Sequence, residues 1–177
     1  MSRYDLAIPI SAVDHSLGAE HSPVTVVEYG DFECPSCRKA YPMGKELQRR
    51  LGKNLRFVFR NFPLTKLHPH AQHAAEAAEA AAAQGAFWQM HDRLFERQLA
   101  LEDDNLIEYA TDLGLDADRM RVALEGGTYR ARVNEDVLSG IQSGVSGTPT
   151  FFINGERYDG AHGTEPLFEA LQRALTS

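Results

Sequence analysis

Two cysteines are the residues of this chain best suited to chemistry, and they stand three positions apart in the tetrapeptide Cys34-Pro35-Ser36-Cys37. Side chains at positions i and i+3 lie on one face of a helix, which brings the two sulfurs within disulfide reach. The thiolate is the nucleophilic form of cysteine, and a helix N-terminus lowers a thiol pKa from about 8.5 into the range of roughly 3.5–7.5. The spacing therefore indicates thiol–disulfide chemistry, with Cys34 as the exposed, attacking thiol and Cys37 as the shielded, resolving thiol.

The flanking segments predict the elements that position this pair. Residues 24–29 are mostly apolar and β-branched, as in a buried strand. A helix is predicted over 35–51, because Pro35 suits a first helical turn and a glycine follows the last apolar position. Pro42 should kink that helix. Residues 55–60 form the next strand, and strand, helix and strand at this spacing make a parallel βαβ unit.

The middle of the chain, residues 68–143, has helical character throughout. An alanine-rich segment favours helix strongly, and three further helical patterns follow, of which one is capped by Asp116. After them, residues 150–153 return to strand, Asn154-Gly155 is a hairpin turn, and 156–158 form the return strand. Thr164 is predicted to cap a final helix.

These patterns together predict an α/β fold with a central mixed sheet flanked by helices. Residues 1–67 and 144–177 would form one unit, because the strands on either side of the helical block need each other for a core. Residues 68–143 would then be an inserted all-helical subdomain.

Composition excludes several other functions. The net charge of −7 argues against nucleic-acid binding, which needs a basic surface, and against anionic membranes. The sequence has no apolar run of the roughly 20 residues that span a bilayer and no signal peptide. We therefore expect a cytoplasmic protein, or a periplasmic one if this is a mature form that has lost its signal. We expect no metal site, because a structural zinc site needs four ligands and a second CxxC is absent from the sequence.

Two motifs give the chain a recognisable family resemblance. The segments Gly30-Asp31-Phe32-Glu33-Cys34-Pro35-Ser36-Cys37 and Gly147-Thr148-Pro149-Thr150-Phe151-Phe152-Ile153-Asn154-Gly155 resemble the DsbA-like branch of the thioredoxin superfamily. The segments His68-Pro69-His70-Ala71 and 84–92 are similar to parts of the helical insertion of that branch. The resemblance covers about residues 10–176 and implies a thioredoxin fold.

The resemblance also implies roles for particular residues. Pro149 matches the cis-proline that faces the cysteine pair, and Thr148 matches the residue before it, which meets the substrate backbone. Pro35 and Ser36 complete the expected substrate-binding set. Glu28 matches a buried acid beneath the cysteines. A carboxyl group buried there would have a raised pKa and could accept a proton from the resolving thiol, whereas the alternative is a glutamate facing solvent.

Ser36 departs from the family pattern, because strongly oxidising members carry Pro-His between the cysteines. Serine brings no positive charge to stabilise a thiolate, and a less stabilised thiolate makes a less oxidising disulfide. The sequence therefore leaves open whether the site makes, breaks or rearranges disulfides. We predict a reduction potential between those of the strong oxidants and thioredoxin.

The function that these observations favour is a thiol–disulfide oxidoreductase acting on protein or peptide cysteines. The sulfur atoms carry the chemistry, so no cofactor is required. Glutathione or a thioredoxin-type protein could be the redox partner, and we expect a monomer. Two alternatives stay open: a thioredoxin-fold binding or chaperone module, and a glutathione-dependent enzyme acting on small molecules, which would not need Cys37.

Overall fold

A mixed β-sheet forms the centre of the molecule. The structure is a computed structural model, and it describes residues 5–177. Within that range the sheet has five strands in the order β1-β3-β2-β4-β5. The strands are β1 (His15–Leu17), β2 (Val24–Gly30), β3 (Leu55–Asn61), β4 (Thr150–Ile153) and β5 (Glu156–Arg157). The pair β2–β3 is parallel, whereas β1–β3, β2–β4 and β4–β5 are antiparallel.

Strand β2 lies in the middle of the sheet and is buried on both faces, as its apolar sequence predicts. Its register places Glu28 beside Phe59 of β3 on one side and Phe151 of β4 on the other. The strand ends at Gly30, directly before the cysteine motif.

Helices cover the sheet. Within residues 5–177 they are α1 (Pro35–Leu51), α2 (Ala71–Ala82), α3 (Phe87–Glu96), α4 (Asp103–Asp112), α5 (Ala117–Gly126), α6 (Arg130–Gln142) and α7 (Thr164–Thr176). The α/β class and the mixed sheet flanked by helices are confirmed. Helices α2 to α6 all fall between β3 and β4 in the chain, yet one apolar cluster includes Val26 and Phe59 of the sheet together with Met90 and Leu106 of these helices. The division into two subdomains remains a prediction.

The structure confirms the predicted helix cap at Asp116 and the predicted turn at Asn154-Gly155. Asp116 caps α5, because its side chain accepts hydrogen bonds from the backbone N–H groups of Asp118 and Arg119. Asn154 and Gly155 both have positive φ angles, 48° and 85°, as a two-residue hairpin turn requires. The cap assigned to Thr164 was wrong, because Thr164 is already the first helical residue and Gly163 occupies the cap position. Across the described part of the chain, none of the helices combines the length and apolar character needed to cross a bilayer.

Candidate active site

The two cysteines lie where β2 gives way to α1. Cys34 has extended backbone geometry and precedes the first residue of α1, Pro35, so Cys37 falls in the first turn. Both are free thiols. Cys37 is 0% exposed, and Cys34 is only 6% exposed, so the expectation that Cys34 would be exposed is wrong in degree. The carbonyl oxygen of Thr148 lies 3.6 Å from its Sγ atom and helps to cover it.

The environment of Cys34 favours a thiolate. Its pKa is lowered to about 5, mainly by a hydrogen bond from the Cys37 thiol, with further hydrogen bonds from the backbone N–H groups of Cys37 and Ser36; burial opposes the shift. These N–H groups belong to the start of α1, where they have no partner within the helix. The helix N-terminus thus acts on Cys34 as the sequence predicts.

The environment of Cys37, in contrast, favours the protonated thiol. Burial raises its thiol pKa, and its hydrogen bond to Cys34 and the negative charge of Glu28 raise it further. The backbone N–H of Asp31 donates to its Sγ atom at 3.4 Å. At neutral pH the pair therefore consists of one ionised sulfur and one protonated sulfur.

Glu28 is buried beneath the pair, with 3% of its surface exposed. Burial raises its pKa to about 8, with a smaller contribution from the negative charge of Cys34. The solvent-facing alternative for this residue is therefore excluded. A group that changes protonation near neutral pH next to a protonated thiol is suited to accept or return a proton.

Opposite the cysteines, the peptide bond between Thr148 and Pro149 is cis. These two residues and Ser36 line an open groove of about 560 Å³, together with Lys39, Met43 and His162 among others. Pro35, between the two cysteines, is exposed but does not line this groove. Three of the four residues expected to bind substrate therefore share one groove next to the Cys34 sulfur.

Asp31 is a site residue that the sequence analysis missed. Its side chain is buried, and its two carboxylate oxygens accept hydrogen bonds from the N–H of Glu33 at 2.7 Å, the N–H of Leu64 at 2.9 Å and Nδ1 of His68 at 2.7 Å. Burial alone would disfavour the charged form of His68, but the hydrogen bond and charge of Asp31 raise its pKa. The negative charge of Cys34 acts in the same direction, so His68 binds a proton more readily than an ordinary histidine does, at a site where Ser36 supplies no positive charge.

Gln98, from the segment between α3 and α4, is a second residue that was missed. Its Nε2 atom donates to the carbonyl oxygens of Phe32 and Cys34, at 2.9 and 2.8 Å. The side chain is buried, and it holds the loop that carries the nucleophile. A lone glutamine in a helical region carries no sequence signal for this role.

The part of the chain that the structure describes contains no candidate metal site. Among residues 5–177, histidine, cysteine, aspartate and glutamate side chains do not gather in groups of three or more that could hold an ion. The two cysteine sulfurs contact backbone groups, the N–H of Asp31 and the carbonyl oxygen of Thr148.

Comparisons with curated proteins give relatives much longer than this chain. A protein of Salinispora arenicola named "Na(+)/H(+) antiporter NhaA 1" is 50% identical over 172 residues, which cover 97% of this chain and 26% of that protein. A protein of Herminiimonas arsenicoxydans named "Na(+)/H(+) antiporter NhaA" is 42% identical over 160 residues, 90% of this chain and 25% of that protein. The chain thus spans about a quarter of the length of these relatives.

Solved structures match over nearly the whole chain. A thioredoxin-like oxidoreductase from Silicibacter pomeroyi is 28% identical, with a TM-score of 0.83 and coverage of 94% of this chain and 95% of that one. Oxidised BdbD from Bacillus subtilis shares the fold, with a TM-score of 0.84, 24% identity and 92% coverage of both chains. The profile of the family described as Thioredoxin matches residues 11–173. The chain belongs to the thioredoxin family and has the fold of its DsbA-like members.

Proposed function

We propose that this chain is a thiol–disulfide oxidoreductase that acts on the cysteines of proteins or peptides. The observation that carries the proposal is the opposed pKa values of two adjacent thiols, a lowered one at Cys34 and a raised one at Cys37. The open groove beside Cys34 supports a peptide as substrate, and the likeness to a thioredoxin-like oxidoreductase supports the reaction class.

In the reductive direction, the Cys34 thiolate attacks one sulfur of a substrate disulfide and releases the other as a thiolate, leaving a mixed disulfide. Cys37 then gives its proton to Glu28, and its thiolate attacks the Cys34 sulfur. The second substrate thiolate leaves, and the Cys34–Cys37 disulfide remains. Oxidation of a substrate dithiol follows the same steps in reverse, with Glu28 returning the proton to Cys37.

The timing of the proton transfer follows from charge. While Cys34 is a thiolate, its negative charge helps to keep Glu28 protonated. In the mixed disulfide that charge is gone, so Glu28 ionises more readily. The carboxyl group thus becomes a base at the stage at which Cys37 has to lose its proton.

The reduction potential that we propose lies between those of the strong oxidants and thioredoxin. A Cys34 pKa of about 5 lies between the values of roughly 3.5 for DsbA and about 7 for thioredoxin. A more acidic nucleophile stabilises the reduced form and makes the disulfide more oxidising. Titration of the pair against glutathione measures this potential, and a value equal to that of either extreme contradicts the proposal.

The function is tested with Cys34→Ser, which should abolish both insulin reduction and oxidation of reduced ribonuclease. Ser22→Ala is a control outside the groove that leaves both sulfurs in place. Turnover at the normal rate in Cys34→Ser would refute the proposal and favour a binding or chaperone module. Cys37→Ala should lose turnover and accumulate a mixed disulfide with substrate protein, whereas full activity in that variant would favour a glutathione-dependent enzyme.

A further inference from the structure

A small cavity lies beside the buried carboxyl group of Glu28. Its volume is about 10 Å³, and its walls include Tyr41, His91, Asp92 and Phe95. A space of roughly 10–15 Å³ is the minimum that holds one water molecule. The cavity therefore has room for a single water between α1, α3 and the central sheet.

Two polar atoms on the residues around this cavity have no hydrogen-bond partner among the described residues. They are Oε1 of Glu28 and Nε2 of His91. Both side chains are buried, with 3% and 5% of their residue surfaces exposed. Buried polar atoms are almost always paired, and a buried water commonly supplies the partner. One water between these two atoms would satisfy both.

The chemical state of His91 is fixed by its other nitrogen. Nδ1 lies 2.9 Å from Oδ1 of Asp92. Burial raises the pKa of Asp92, but its hydrogen bonds to His91 and Lys45 outweigh that effect and lower it, so it is an ionised acceptor. Nδ1 therefore carries the proton. Burial lowers the pKa of His91, so the ring is neutral and Nε2 offers a lone pair to the cavity.

Aromatic side chains hold this ring in place. The His91 ring lies edge-on to Phe59, Trp88 and Phe95, with centroid distances of 4.8, 4.9 and 5.2 Å. These contacts fix its orientation in the core. One nitrogen of His91 is unpartnered in the interior, and the other contacts the partly exposed carboxylate of Asp92. The ring therefore connects the interior to the surface.

We infer that a water in this cavity joins Glu28 to His91 and that this link carries the proton of Glu28 to and from solvent. The inference rests on the proposed function, because it concerns the proton that Glu28 exchanges with Cys37. His91 acts through Glu28 and is a positioning residue, since it does not touch the reacting sulfurs.

Protons balance along this route. Outward, Glu28 gives a proton to the water, the water gives one to Nε2 of His91, and Nδ1 releases its proton to Asp92, which passes it to solvent. Inward, the same steps run in reverse. One oxidation and one reduction of the cysteine pair use the route once in each direction, so His91 returns to its starting tautomer.

The charged and titratable groups around this route are compatible with a neutral His91. Positive charge on neighbouring groups lowers the pKa of His91 and keeps it neutral, and burial raises the pKa of the phenol on the cavity wall, which keeps it protonated. The titratable groups that face Glu28 are Cys34 and Cys37. Those that face His91 are Asp92, Lys45, His15 of β1 and Tyr41 of α1.

The test uses His91→Phe, which keeps an aromatic ring in the core but removes both nitrogens. The measurement is the rate at which the mixed disulfide of Cys34 with glutathione converts to the Cys34–Cys37 disulfide. We expect a fall of about tenfold, which is smaller than the roughly 10²–10⁴-fold typical of a group that transfers the reacting proton directly, because His91 acts through Glu28. We also expect a larger solvent deuterium isotope effect. His73→Phe is the matched control, because Nδ1 of His73 also pairs with an aspartate, Asp103, at 2.6 Å, but His73 does not line the cavity and is not among the groups that face His91.

A double-variant comparison separates a proton route from a packing role. In a Glu28→Gln background the proton has no carboxylate to leave from, so adding His91→Phe should slow the reaction no further. An equal, additive loss in both backgrounds would overturn the inference. So would an unchanged rate and isotope effect in His91→Phe, whereas turnover in Cys34→Ser would instead refute the proposed function.

A spectroscopic measurement on the unmutated protein covers the case in which His91→Phe does not fold. Nitrogen NMR of His91 should show a proton on Nδ1, a lone pair on Nε2, and magnetisation transfer from a long-lived water to the ring. A proton on Nε2, or a ring without a water contact, would overturn the inference.

Discussion

Replacing Glu28 by glutamine should change how the stability of the reduced protein depends on pH. The pKa of Glu28 rises from 4.5 in the unfolded chain to about 8 in the folded protein, because of burial and the nearby Cys34 charge. Between these values the unfolded state releases a proton that the folded state keeps. The stability contributed by the neutral carboxyl group is therefore fully present below pH 4.5 and is lost as the pH rises to about 8.

The size of this loss follows from the two pKa values. They differ by about 3.5, and each pKa unit corresponds to 1.36 kcal/mol, which gives about 5 kcal/mol. This is a large part of the 5–15 kcal/mol that stabilises a typical domain. Glutamine is neutral at every pH and does not show this loss. Any packing difference between the two side chains adds a constant that is the same at both pH values.

The assay is urea unfolding of reduced wild type and Glu28→Gln at about pH 4 and about pH 8.5, the two sides of the expected transition. The free energy of unfolding of the variant, relative to wild type, should increase by about 5 kcal/mol between the two conditions. Glu125→Gln is the matched control, because that glutamate is exposed and should give little change. A relative stability that is constant with pH would refute the reasoning and show that Glu28 is ionised in the folded protein.

Three further predictions concern the loop that carries the nucleophile. Alkylation of the reduced protein by iodoacetamide should reach half its maximal rate near pH 5, the pKa of Cys34. Peptide mass spectrometry should find Cys34 modified and Cys37 intact. A midpoint above pH 8 would contradict the assigned thiolate. His68→Gln removes a positive charge near that thiolate, so the alkylation midpoint should move to higher pH, and an unmoved midpoint would exclude this electrostatic effect. Gln98→Leu removes the amide that donates to two buried carbonyl groups; that of Cys34 keeps the N–H of Arg38, whereas that of Phe32 loses the Gln98 donor. Urea unfolding should therefore show a loss of about 1–3 kcal/mol. Stability equal to that of the wild type would show that other donors replace the amide.

Local sequence was sufficient to predict the elements that carry the site. The β-branched run before the motif, Pro35 in the first helical turn and the Asn154-Gly155 turn each determine structure within a few residues. Strand β1 was missed because its three residues are only half-buried and show no alternation.

The contacts made between distant parts of the chain could not be predicted in this way. Asp31 meets His68 across 37 positions, and Gln98 meets the carbonyl of Cys34 across 64. Such pairs depend on how the helices pack on the sheet, and neither pattern nor propensity encodes that packing. The same packing buries Cys34 more deeply than its place at a helix end suggests.

The close pairing of the two sulfurs also bears on oxidative damage. A peroxide that reaches Cys34 would convert the thiolate to a sulfenic acid, the first and reversible step of cysteine oxidation. Cys37 lies one helical turn away and can condense with that group, releasing water and forming the ordinary disulfide. A thiol without such a neighbour is exposed to further, irreversible oxidation to the sulfinic acid. The arrangement on which the proposed redox chemistry depends would therefore also return an accidental oxidation to the proposed cycle.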